Sequence, residues 1–130
     1  MPSVLWIQAG GCGGCTLSWL GTDTRDLFGL WRSQGLELVW HPAVSEASGA
    51  EALQLLEDAA NGQLAFDILC VEGAMLRGPN GSGHAQRLSG SGQPMVQWVR
   101  RLAARARWTL AVGSCAAYGG MCAAGANPAD

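Results

Sequence analysis

Val4-Leu5-Trp6-Ile7-Gln8-Ala9-Gly10-Gly11-Cys12-Gly13-Gly14-Cys15-Thr16-Leu17 is the stretch on which the fold turns. Its first residues are almost wholly apolar, as a strand buried on both faces requires, and glycines break the run before an apolar stripe of helical spacing begins. Leu17, Leu20, Leu27 and Trp31 carry that stripe, Gly21-Thr22-Asp23 interrupts or restarts it, and Gly35 ends it. The alternation then repeats. Further strands are expected at residues 36–40, 66–71 and 108–112. Helices are expected from Ser48, where Ser48 and Glu51 fit a capping box, and from Pro94. Residues 77–92 are glycine-rich with little to bury and read as a long surface loop, and the tail after Cys115 is expected to reach no further helix. Right-handed crossovers turn this order into α/β architecture: a flavodoxin-like doubly wound parallel sheet of about four strands with helices on both faces. Residues 1–130 read as one such domain. Ligands of these sheets gather outside the carboxyl ends of the strands. Cys12 and Cys15 follow the first strand, Glu72 the third and Cys115 the fourth.

Composition narrows the chemistry. Gly is 19 of 130 residues, about twice the usual ~7 %, and charged residues are 14 % against a usual ~25 %. All eight basic residues are arginines, which excludes a Schiff-base or P-loop lysine. A net charge of −2 with a single basic run, residues 100–107, leaves no footprint for nucleic acid. No stretch is long and apolar enough for a membrane span. The N-terminus lacks the features of a secretory signal, so a cytoplasmic location is expected. The first turn departs from G-x-G-x-x-G, since Thr16 stands where the third glycine belongs, and the dinucleotide reading fails. FMN stays an analogy only, because the first loop offers cysteines where a phosphate wants hydroxyls.

Five cysteines, Cys12, Cys15, Cys70, Cys115 and Cys122, suit metal or redox chemistry better than a disulfide framework. C-x-x-C alone is shared by zinc sites, thiol–disulfide redox pairs and iron–sulfur ligands. At a helix start the thiols of Cys12 and Cys15 are expected to be acidified. Gly10, Gly11, Gly13 and Gly14 would let the backbone approach a bulky anionic cluster and point amides at its sulfides. Cys115 supplies a third thiolate at the same edge. Cys70, inside an apolar strand, reads as core. His41 and His84 read as solvated, Glu72 equally as a solvated strand end or a site residue, the tryptophans as core and interface, and the arginines of residues 100–107 as a wet helix face.

The blocks Val4 to Ser18, Val71-Glu72-Gly73 and Gly113-Ser114-Cys115-Ala116-Ala117-Tyr118-Gly119-Gly120, with Asn127-Pro128 behind them, resemble the electron-transferring small subunit of the [NiFe] hydrogenases. The resemblance runs through the chain and covers the N-terminal, flavodoxin-like part of that subunit. Residues 43–51 and 77–81 are most similar to the cytoplasmic hydrogen-sensing (regulatory) and uptake branch. The resemblance implies that Cys12, Cys15 and Cys115 are three ligands of a proximal [4Fe-4S] cluster, with Glu72 close by near the interface with a [NiFe]-hydrogenase large subunit. Electrons would come from the Ni-Fe centre of that large subunit, and in the sensing branch a signalling histidine kinase would be a further partner. The family's fourth ligand and its C-terminal cluster domain are absent, so the chain is expected to be a fragment, with Cys122 a substitute ligand as the alternative. Two other readings remain beside it: a thiol–disulfide oxidoreductase using Cys12 and Cys15, and a non-catalytic hydrogenase-derived sensor module.

Overall fold

A computed structural model describes residues 1–22 and 27–129. Its elements run β1 Ser3–Gln8, α1 Gly14–Leu20, α2 Leu27–Ser33, β2 Glu37–Trp40, α3 Gly49–Ala60, β3 Ile68–Glu72, α4 Met95–Ala103, β4 Trp108–Val112 and α5 Gly113–Tyr118, followed by a 3-10 turn at Gly120–Ala123. The four strands form one sheet in the order β2-β1-β3-β4, every pair parallel. This is the doubly wound arrangement expected from the alternation of apolar runs.

The central strands separate two apolar clusters. Leu5, Ile7, Leu69 and Val71 point to one side, where they meet Leu56 and Ala59 of α3 and Trp98, Val99 and Leu102 of α4. Val4, Trp6 and Cys70 point to the other, where Trp31 of α2 packs on them. Trp19 of α1 joins that side, its ring stacked on Trp6 with centroids 5.3 Å apart and 4.6 Å from that of Trp31. Cys70 is buried as expected of core.

Several expectations need correction. The first stripe divides into two short helices as the Gly21-Thr22 break implied, but Leu17, read as part of its buried face, is 69 % exposed, and Trp19 packs inward instead. Asp23 and the side chain of Leu27 lie outside the described residues. Ser48 is the N-cap of α3, yet its hydroxyl makes no capping bond, and Pro94 caps α4 from outside its first turn. The tail does reach a helix, since α5 begins directly where β4 ends. Residues 77–92 form neither helix nor strand, but Gly78 and Gly83 are buried and Leu88 packs on the larger cluster.

Candidate metal centre

Register sets the site. Gln8 lies opposite Glu72, and Glu72 opposite Val112, so β1, β3 and β4 end in one row. The chain leaves that row through Ala9 to Cys12, through Gly73, and through Gly113 to Cys115. Paired bonds between Gly10 and Ala74, each 2.8 Å, tie the first two exits together. The third closes on them through Gly113, whose φ is +84 and whose added Cβ would stand 2.2 Å from the sulfur of Cys15. The structure thus brings the segments carrying Cys12, Cys15 and Cys115 to one edge. All five cysteines are free thiols: Cys12 is exposed, Cys15, Cys115 and Cys122 half-buried. Cys122 sits in the 3-10 turn, beyond Gly120, whose added Cβ would lie 3.0 Å from the sulfur of Cys115.

The Cys15 thiol is raised above its ordinary value, by burial first and then by the negative charges of Glu72, Cys115 and Cys12. The expectation of an acidified thiol is therefore overturned for Cys15. Its helix is seven residues long, so its dipole is weak, and burial, reinforced by the carboxylate against its first turn, outweighs it.

That carboxylate, Glu72, is 3 % exposed, which decides against a solvated strand end. Its Oε1 accepts the Thr16 amide at 3.0 Å. Its Oε2 accepts the Thr16 hydroxyl, the Gln8 amide at 3.1 Å and the Trp6 indole N–H at 3.1 Å. Burial pushes the carboxyl up, but these donors outweigh it and hold Glu72 below the usual carboxylate range. His41, also expected in solvent, is fully buried. Its Nε2 lies 3.1 Å from the Thr16 hydroxyl, and its ring packs 4.9 Å from Trp6. Burial lowers its pKa against an opposing pull from Glu72. His84 is exposed as expected. Arg101 bonds Glu57 at 2.9 Å and lies over Trp98, so that part of the arginine run is engaged rather than merely wet.

Gln8, Ala9, Gly11, Cys12, Gly13, Glu72 and Gln86 enclose a polar cavity of about 330 Å³ beside the first cysteine turn. Among the described residues, Gln86 Oε1 is buried without a partner. No three His, Cys, Asp or Glu side chains among the described residues are grouped to hold a single metal ion. A tetrahedral zinc would draw its thiolates to within ~4 Å of one another. An iron–sulfur cube takes its thiolates on separate corners and is cradled by close backbone, and three cysteine-bearing segments at one glycine-rich edge supply a soft donor set of that kind. The residues fit such a cluster.

Fold and edge together place the chain among parallel α/β domains that carry their chemistry on strand-end loops. Residues 12–130 match the family described as NADH ubiquinone oxidoreductase, 20 Kd subunit, and the chain belongs to that family. Within it, the Hydrogenase-2 small chain of Escherichia coli (strain K12) is 32 % identical over 127 residues, 98 % of this chain and 33 % of that protein. The periplasmic [NiFe] hydrogenase small subunit of Solidesulfovibrio fructosivorans is 30 % identical over 129 residues, 99 % of this chain and 39 % of that protein. Among solved structures, the [NiFeSe]-hydrogenase of Dm. baculatum matches with a TM-score of 0.76 at 30 % identity, over 98 % of this chain and 48 % of that one. The chain is thus a homologue of hydrogenase small subunits, and it spans between a third and two fifths of the length of these two curated relatives.

Proposed function

We propose that this chain holds one [4Fe-4S] cluster through Cys12, Cys15 and Cys115 and serves as the electron-transfer part of a hydrogenase, beside a large subunit that carries the Ni-Fe centre. The observation that carries the reading is the register row Gln8–Glu72–Val112, which delivers all three cysteine segments to one edge. When bound, the cluster supplies a one-electron carrier. The protein's part is to hold it and set its surroundings. Cys12, Cys15 and Cys115 would ligate as thiolates, and Gly113 leaves room for the Cys15 sulfur. Glu72 keeps a negative charge under the first turn, which favours the more oxidised state of any group bound there. A fourth ligand comes from outside this trio, and Cys122 is the candidate inside the chain.

The similarity of residues 43–51 and 77–81 to the regulatory and uptake branch supports H2 uptake or sensing in the cytoplasm as the use of the electrons. The test is anaerobic co-expression with a large subunit, followed by iron and sulfide analysis and visible spectra. The expected result is four irons and four sulfides per cluster, with the broad absorption lost in Cys115→Ser. A Cys115→Ser protein with unchanged iron and spectrum would remove the assignment. Cys122→Ser, compared in the same way, decides the fourth ligand.

A further inference from the structure

Thr16 has one hydroxyl hydrogen and two neighbours able to take it: Glu72 Oε2 and, 3.1 Å away, His41 Nε2. Which neighbour receives it depends on the imidazole tautomer, and that is fixed elsewhere. The Ala43 amide donates to His41 Nδ1 at 3.0 Å, so Nδ1 is an acceptor and the neutral ring carries its hydrogen on Nε2. Nε2 therefore donates to Thr16, and the Thr16 hydrogen is directed onto Glu72. The Gln8 amide, 3.2 Å from the same hydroxyl oxygen, fills its other lone pair. The ring cannot easily turn over, since it is fully buried and packed against Trp6 and Trp19. Its backbone is pinned as well, the His41 amide donating to the Ser45 hydroxyl at 2.8 Å.

We propose that His41 is a positioning residue for the metal centre: held in one tautomer by the Ala43 amide, it forces the Thr16 hydroxyl onto Glu72 and so clamps the first turn of α1, which carries Cys15. The clamp has two bonds on one residue, since the Thr16 amide and hydroxyl grip the two oxygens of the same carboxylate. With the His41 donor removed, the Thr16 oxygen loses a bond that polarises its hydroxyl, and the hydroxyl's bond to Glu72 weakens in a buried place where each donor counts. This inference rests on the cluster reading for its electrochemical consequence, but the hydrogen-bond order itself does not.

The experiment uses the full chain with its large-subunit partner and compares His41→Phe, His41→Gln, Thr16→Val and the Phe/Val double variant. His41→Phe keeps a ring in the stack and removes both nitrogens, while His41→Gln keeps a donor at the Nε2 position. In redox titrations followed by electron paramagnetic resonance, Thr16→Val should disfavour reduction of the cluster by about tenfold, ~59 mV for a one-electron couple, and His41→Phe should shift it the same way by a smaller amount, because the Glu72 charge is then less neutralised. His41→Gln should stay near the unsubstituted value, and the double variant should not exceed Thr16→Val, because both changes cut one line. An unshifted His41→Phe beside a shifted Thr16→Val, or additive shifts, overturns the proposal. Two measurements need no cluster. Nitrogen-15 spectra of the unsubstituted protein should show the Nε2–H tautomer for the buried histidine, and the Nδ1–H tautomer would refute the order. The Thr16 amide should exchange its hydrogen at least ~tenfold faster in His41→Phe, and equal exchange rates count against the clamp. Iron-free protein with the expected tautomer and exchange rates defeats the cluster reading and leaves the clamp standing.

Discussion

Gly73 joins the third strand to the site with φ at +91, and a Cβ there would stand 2.9 to 3.0 Å from backbone atoms of Ala9, Gly10 and Gly11. Backbone cannot swing aside as a flexible side chain can, so strain and clash act together. Gly73→Ala should cost about 1–3 kcal/mol in denaturant unfolding and lower iron uptake beyond what that loss explains, because the displaced backbone leads directly into Cys12. Cys70 gives a second expectation. Burial raises its thiol from the ordinary 9.0 to about 11, so the folded chain stays protonated where the unfolded chain ionises. The stabilising contribution is complete below pH 9 and is lost as pH rises toward 11, on the order of 3 kcal/mol at 1.36 kcal/mol per pH unit. Cys70→Val should flatten that alkaline limb in urea midpoints measured from pH 8 to 11. At this scale the three ligand candidates were legible, since C-x-x-C after a strand and a cysteine after another strand are local patterns. The burial of Glu72, read as even between solvent and site, and of His41, read as solvated, was not. Glu72 finds its threonine 56 positions away and His41 finds it 25 positions away, and nothing in the neighbouring letters marks either side chain as enclosed.

The elements were easier to read because parallel strands buried on both faces are continuous apolar runs, and β1, β2 and β3 announce themselves in that way. Helix α5 went unseen for the opposite reason: Gly-Ser-Cys-Ala-Ala-Tyr is six residues with no apolar period, and its place follows from β4 ending beside β3. Between elements, Asp67 ties three strands at the edge away from the cysteines. Its carboxylate accepts the Ser3 amide at 2.8 Å and the Ser3 hydroxyl at 3.1 Å, while its carbonyl accepts the amides of Arg107 and Trp108 at 2.8 and 3.1 Å. The Ser3 amide, then the Ser3 hydroxyl, hold the carboxyl below its ordinary 3.8 against partial burial. A depressed carboxylate stabilises above its unfolded value and loses that contribution as pH falls through the folded one. Stability should therefore drop as pH falls below about 4. Asp67→Asn should reduce this acid sensitivity and lower stability at neutral pH. Thermal melts of both proteins between pH 2.5 and 7 check the two effects together.

Across the whole molecule the burial is lopsided. Leu5, Leu56, Leu69 and Leu102 are at most 1 % exposed, whereas β4, at the end of the sheet, leaves Trp108 46 % and Leu110 51 % exposed, and beyond it Tyr118 is 84 % and Met121 88 % exposed. The Arg107 guanidinium lies 4.2 Å from the Trp108 ring, which shields one indole and leaves the rest of the strand bare. An edge strand with unpaired backbone groups and apolar side chains invites association with other chains. The low charge of the chain, 14 % of its residues, acts in the same direction, because little repulsion opposes contact. The 130-residue chain alone should therefore self-associate as its concentration rises. Leu110→Lys with Met121→Lys should suppress that association with little change in melting temperature, since both side chains already face solvent and their removal empties no core. Sedimentation velocity over a hundredfold concentration range provides the check. A wild-type chain that stays monomeric throughout, or a double variant that associates as strongly, would mean that the exposed strand does not drive contact between chains.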